Sequence, residues 1–342
     1  MSFRKLFILA AVVLAAAACE EDEETAVTPS LDGTLTFSVP EYLSPLQTVT
    51  MAPKGVEHPD GKELGYCWKV APTMTKYDTT RFTNGLDSEK GDGKPSDGSF
   101  THEFSDTLKT YNVYACAFAK GYSTSTSTRS VRVVKGGLDG SIRNTGIKAA
   151  DAKITADGVD YYYTRIGALD WMRNNLANSA SGVAYRNAEV MSDVFGRYYS
   201  YDEAVTACPD GWRLPTDAEW VAMVSEYTEA KDVTPYSPVP GVSAALMADV
   251  TFNGDAMWEY YPAVGDITNA SGLAFIPAGY ANAGKNFTGL DEYAVFWTAD
   301  VVEGESDMAY YRYLVCDQSD LFASKGSRSS YYASVRCVRQ AQ

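Results

Sequence analysis

The chain has 342 residues and a formal net charge of −15, from 29 basic and 44 acidic side chains. That balance argues against a nucleic-acid partner, whose phosphates require a basic footprint, and against charge-driven adhesion to anionic lipid. The length allows two domains, each large enough to bury a core.

Residues 1–18 read as an export signal. Arg4 and Lys5 precede an apolar run, Leu6 to Ala18, shorter than the roughly 20 residues a membrane-spanning helix needs. Ala16-Ala17-Ala18 then lead into Cys19. This end resembles a bacterial lipobox, with Ala16 where leucine is usual. The resemblance implies a diacylglycerol on Cys19; an ordinary signal peptide with an incidental cysteine is the alternative. Residues 19–30 form an acidic tether, and "EEDEE" (Glu20 to Glu24) stays extended by self-repulsion. It is also similar to the acidic export tags of Bacteroidetes-type surface lipoproteins. That implies lipid anchoring in the outer membrane, facing the cell exterior.

Residues 31–135 carry short period-two runs between Gly/Asp/Pro turns. Thr34–Val39, Leu64–Val70, Tyr111–Ala119 and Ser130–Val134 are the expected strands. Their spacing points to a β-sandwich. The runs "YCWKV" and "YNVYACAFAKGY" resemble polycystic-kidney-disease or immunoglobulin-like domains. Cys67 and Trp68 are neighbours in one strand and face opposite ways, so a core Trp68 puts Cys67 outside. A Cys67–Cys116 bridge requires adjacent strands and a shared face; two separate thiols are the alternative. His58 and His102 read as exposed loop residues. Residues 136–146 are turn-rich and read as a linker.

Residues 147–342 open a different pattern. Ser200 with Glu203, and Thr216 with Glu219, have capping-box spacing, each opening a helix. Trp220, Met223, Val224 and Tyr227 then fall on one helix face. Asp217 and Glu219 sit in a first helical turn, where the helix dipole favours carboxylates; this reading is preferred over an acid–base pair.

The runs "DWMRNNLAN", "FGRYYSYDEAVTACPDGWRLPTDAEW", "NASGLAFIPAGY", "AVFWTAD" and "SVRCVR" occur in order. Over about residues 155–339 they resemble the Fibrobacter succinogenes major paralogous domain. "GWRLPTDAEW" and "VRCV" are also similar to the formylglycine-generating fold, a variant of the C-type lectin fold. The resemblance implies an immunoglobulin-like β-sandwich followed by an α+β C-type-lectin-like domain. It further implies a Cys208–Cys337 disulfide, with Cys316 a small apolar strand residue.

Function follows from what the second region contains. Formylglycine-generating enzymes use a copper-bound cysteine pair, which the implied bridge would consume. With no histidine in residues 147–342, neither a Ser-His-Asp or Cys-His arrangement nor a histidine metal cluster is expected. The acidic run Trp297–Asp307 lacks an EF-hand pattern and reads as a solvated loop. Trp258, Tyr260 and Tyr261 in "WEYYP", with Trp297, are the candidate ligand-binding aromatics; packing on the domain's own core is the alternative. The expectation is a non-catalytic surface lipoprotein without cofactor or metal, binding an extracellular glycan or protein. A structural or adhesive subunit of a surface assembly, and a diverged formylglycine-generating-type enzyme, are the alternatives.

Overall fold

The computed structural model describes residues 27–73, 94–95, 98–135, 147, 151–258 and 264–342. The export segment, Cys19, Glu20–Glu24 and the 136–146 linker lie outside the described residues. Among the described residues no helix is long and apolar enough to cross a membrane. The fold is mostly β-sheet, and its α-helices run only four to eight residues.

The first region contains β1 (Asp32–Thr36), β2 (Tyr42–Leu43), β3 (Thr48–Met51), β4 (Lys54–Glu57), β5 (Gly65–Pro72), β6 (Lys94–Pro95), β7 (Phe100–Glu103), β8 (Thr110–Phe118) and β9 (Ser125–Val133). A five-stranded sheet runs β2-β9-β8-β5-β6, and β1–β4 and β3–β7 form separate pairs. Alternation explains the central strand. Tyr111, Val113, Ala115 and Ala117 share one buried face of β8 and meet Leu35, Leu43, Met51 and Phe104 in a single core. Strand β9 begins earlier than expected, because Ser125–Ser130 are polar and are held by pairing with β8.

Cys67 and Cys116 stand directly opposite each other across β5 and β8. They are thiols here, not a disulfide, and a hydrogen bond from Cys67 draws the Cys116 thiol pKa down. Trp68 points into the core, stacked on Phe100 and edge-on to Phe37. Cys67 is nevertheless buried, so the sheet's other face is covered at this point. The histidines are not exposed loop residues either. His58 is buried, accepting the Asp60 amide on Nδ1 at 3.0 Å and packing against Tyr122. His102 lies in β7 between Phe100 and Phe104, where burial lowers its pKa.

The second region contains β10 (Lys153–Ala156), β11 (Val159–Ile166), β12 (Leu169–Met172), α1 (Ser192–Phe195), α2 (Tyr201–Ala207), α3 (Asp217–Val224), α4 (Ser243–Leu246), β13 (Thr251–Phe252), β14 (Asp255–Ala256), β15 (Tyr280–Asn282), β16 (Asn286–Thr288), β17 (Tyr293–Val301), β18 (Met308–Val315), β19 (Phe322–Ser327), β20 (Tyr331–Tyr332) and β21 (Val338–Gln340). The sheet β10-β11-β12-β21 brings its two ends together, with Asp170 opposite Arg339. A meander β17-β18-β19 and a small sheet β16-β15-β20 complete it.

Both capping boxes form, satisfying the first free amides of α2 and α3. Trp220, Met223 and Val224 pack with Trp171, Phe275 and Phe296; Tyr227 falls in the following 3-10 turn and is half-buried. Trp212 is 8% exposed, edge-on to Tyr163 with the Arg339 guanidinium 4.6 Å above its ring. The Cys208–Cys337 disulfide ties the end of α2 to the residue before β21. Cys316 follows β18 and packs, half-buried, on the Trp171 core.

The two regions touch. Val134 is buried in a core otherwise built from residues beyond 184. The Arg132 guanidinium donates to Asp255 at 2.8 Å, Arg186 pairs with Glu41, and Tyr42 packs edge-on against Tyr185.

Candidate functional site

The β11–β12 hairpin and the turn at 269–272 form an open cleft of about 700 Å³. Tyr163, Thr164 and Arg165 line it from β11, and Asn269, Ala270 and Ser271 from the turn. The turn is tight: Asn269 has φ +48° and Gly272 has φ +69°, and the Gly272 amide donates to the Asn269 carbonyl at 2.8 Å. The Asn269 side chain accepts the Ala274 amide at 2.9 Å.

Arg173 locks the two walls together. Its Nε donates to the Gly272 carbonyl at 2.6 Å and its Nη1 to Asp151 at 2.8 Å. Burial pulls its pKa below the usual guanidinium range, and Asp151 offsets part of that. Asp170, 1% exposed on its side chain, accepts from Arg165 Nε at 3.0 Å and Arg339 Nε at 3.1 Å. One buried carboxylate on β12 thus holds an arginine from each of the two strands that flank it.

Behind Arg173 lies an inner cavity of about 140 Å³, lined by Asn174, Asn175, Asp193 and Arg336 among others. Arg336 is fully buried. It donates to Asn175 Oδ1 at 2.7 Å and to the carbonyls of Leu273, Met172 and Ala274. Its plane lies over the Phe275 and Phe296 rings. Burial, and then nearby Arg173, bring its pKa down to about 9, so it remains a cation at neutral pH. The cleft therefore offers amides, hydroxyls, carboxylates and guanidinium groups beside one aromatic side chain. This inventory suits hydrogen bonding to a polar ligand.

Neither of the two described aromatics picked out from the sequence, Trp258 and Trp297, lines this cleft. Trp258 is 3% exposed, in the core with Trp171 and Trp220. Trp297 is fully buried, and its Nε1 donates to the Tyr199 carbonyl at 2.8 Å. A ring enclosed on both faces cannot serve as a platform, so both are core residues. Tyr260 and Tyr261 lie outside the described residues. The acidic run after Trp297 is engaged locally. Asp300 accepts the Asp217 amide at 2.5 Å, Glu305 pairs with Lys325, and Asp307 accepts from Ser327 at 3.0 Å. Among the described residues, no group of three or more His, Cys, Asp or Glu side chains is placed to hold a metal. Asp217 and Glu219 also part company: Asp217 pairs with buried Arg312, and Glu219 with Arg213.

Residues of the cleft, of the cavity behind it and of the Asp170 cluster stood in view in the sequence, as parts of family motifs. "DWMRNNLAN" contains Asp170, Arg173, Asn174 and Asn175; "NASGLAFIPAGY" contains Asn269 and Ser271; "SVRCVR" contains Arg336 and Arg339. Folding brings these three separate runs to one place.

Comparison with known proteins identifies the family. The model of the Fibrobacter succinogenes major domain matches residues 164–339. No curated protein matches the chain significantly. Among solved structures, the Yersinia pseudotuberculosis adhesin InvE aligns at 10% identity and a TM-score of 0.22, covering 90% of this chain and 70% of the adhesin. That overlap is too slight to inform the fold. The family match takes in more than half of the chain and all but the outermost wall of the cleft, and the chain belongs to the Fibrobacter succinogenes major domain family.

Proposed function

We propose that this is a non-catalytic surface lipoprotein that captures a polar extracellular ligand, a glycan or a protein, in the cleft beside Arg173. The observation that carries the reading is the cleft itself: open, polar, about 700 Å³, and lined in part by two family motifs, through Asp170 and Arg173 and through Asn269–Gly272. Its volume lies in the range of small-molecule sites, where a few convergent polar groups fix a ligand's orientation. In this reading the first region is an immunoglobulin-like spacer and the second a C-type-lectin-like head. A binding role fits the residue supply. The head has no histidine, and its disulfide takes two of three cysteines, leaving Cys316 outside the bridge.

Ala270 is exposed at the cleft, so Ala270→Trp should fill the cleft without burdening the core. Binding to a panel of host and bacterial polysaccharides and mucins should weaken roughly tenfold or more, a loss of about 1.4 kcal/mol, with an unchanged melting temperature. Binding equal to the parent would move the site elsewhere. The anchor is tested separately. Cys19→Ala should shift the protein from the membrane fraction to the soluble fraction, because a stable anchor depends on the acyl chains; retention in the membrane fraction would refute lipidation there.

A further inference from the structure

Tyr236 stands apart from the cleft and from every residue discussed as a ligand group so far. It is 46% exposed, and no other Phe, Tyr or Trp among the described residues is classed with it as exposed. Its backbone has φ +65°, a conformation that a bulky side chain adopts only when its surroundings impose it. Those surroundings are visible. The Tyr236 amide donates to Asp217 Oδ2 at 2.6 Å, and Arg312 donates from Nη1 to the Ser237 carbonyl at 2.7 Å and from Nε to Asp217 Oδ1 at 2.6 Å. Asp217 and Arg312 are both completely buried. A buried ion pair therefore holds an exposed tyrosine in a strained backbone.

The ring is held as firmly as the backbone. One face stacks on Tyr310, with centroids 4.1 Å apart and planes at 25°. The neighbouring Asp300 carboxylate is itself fixed by the Asp217 amide at 2.5 Å. The surface left to solvent is the opposite face and the ring edges. Holding a side chain in place beforehand removes the ordering cost from any later binding event.

We infer that the outer face of Tyr236 is a docking point for a cationic side chain, arginine or lysine, on a basic segment of a protein partner. Charge decides this against a sugar. A sugar needs several unused donors and acceptors around the ring, whereas those fixed nearest Tyr236 are taken: Asp217 by Arg312 and the Tyr236 amide, and the Ser237 hydroxyl by the Thr234 carbonyl at 2.6 Å. A cation needs only the negative face of the ring. The chain's net charge of −15 draws cations towards it. Lys325, opposite Tyr310 on β19, is neutralised by its pair with Glu305. The inference does not depend on the cleft beside Arg173.

The test uses the full chain and a blocked Gly-Arg-Gly peptide, at about 0.5 M salt, where screening to about 4 Å removes general attraction to an acidic surface. Tyr236→Gly keeps a residue suited to the left-handed backbone, and Tyr236→Phe keeps the ring. The arginine peptide should bind the parent and the Phe variant alike, and the Gly variant about threefold more weakly or worse. The citrulline peptide, with the same shape and no charge, should bind the parent as weakly as the arginine peptide binds the Gly variant. Equal binding by parent and Gly variant overturns the assignment. So does a citrulline peptide that matches arginine, or displacement of the peptide by a methyl glucoside.

Discussion

Replacing both Cys208 and Cys337 with serine should lower unfolding stability by about 4–5 kcal/mol. The bridge closes a loop across 129 residues of sequence, and the chain-entropy account assigns the largest effects to such long loops. The sulfurs sit within a core shared with Trp212, Leu214, Trp297 and Val335, so serine hydroxyls there also lack apolar surroundings suited to them. The measurement is the denaturant midpoint of the parent, the double-serine variant and the reduced parent. The last two should coincide within about 1 kcal/mol if the cross-link is the cause. A double-serine variant as stable as the parent would mean that the bridge contributes nothing beyond packing. Non-reducing peptide maps should recover this pair.

Asp217→Ala should cost about 3–5 kcal/mol, because it leaves the Arg312 guanidinium buried without its carboxylate. Neither side chain of the pair has any exposed surface, and water cannot take over the lost partner. The double variant Asp217→Leu with Arg312→Met should recover most of the loss, since an apolar pair of similar volume removes both desolvation costs. Thermal melts of the three proteins decide it. An Asp217→Ala protein as stable as the parent would show that solvent reaches Arg312. The single variant should also release Tyr236, whose amide loses its acceptor.

The parts of this fold that could be read from sequence are those specified by near neighbours. Thr216 with Glu219, and Ser200 with Glu203, are three residues apart, and both caps form as the spacing dictates. Strand β8 announces itself because Tyr111–Phe118 is rich in strand-favouring residues, with Tyr111, Val113, Ala115 and Ala117 on one buried face. Strand β9 hides its first half, because its serines and threonines are held by the neighbouring strand rather than by burial. The disulfide was legible only through the family motifs, since no local pattern pairs Cys208 with Cys337. Exposure of a tryptophan is not written locally at all. Trp258 lies between turn residues yet is buried, since its surroundings come from Trp171, Leu273 and Phe296 far along the chain. How the family motifs come together was illegible for the same reason: Arg173 reaches Gly272 across 99 residues and Arg336 reaches Asn175 across 161. Tyr236 carries no signal beyond its flanking prolines, because its strain is imposed by Asp217 and Arg312.

The pairing of β12 with β21 has a consequence for how the molecule is made. Asp170 waits for Arg339, which is synthesised 169 residues later, and the sheet cannot close before then. Contacts of such long sequence separation slow folding, because the intervening chain must be gathered before any of them pays back its entropy. A ribosome-bound chain therefore holds this half in an open, unsealed form until translation has passed residue 340. The Cys208–Cys337 cross-link is subject to the same delay, because its second sulfur arrives only with Cys337.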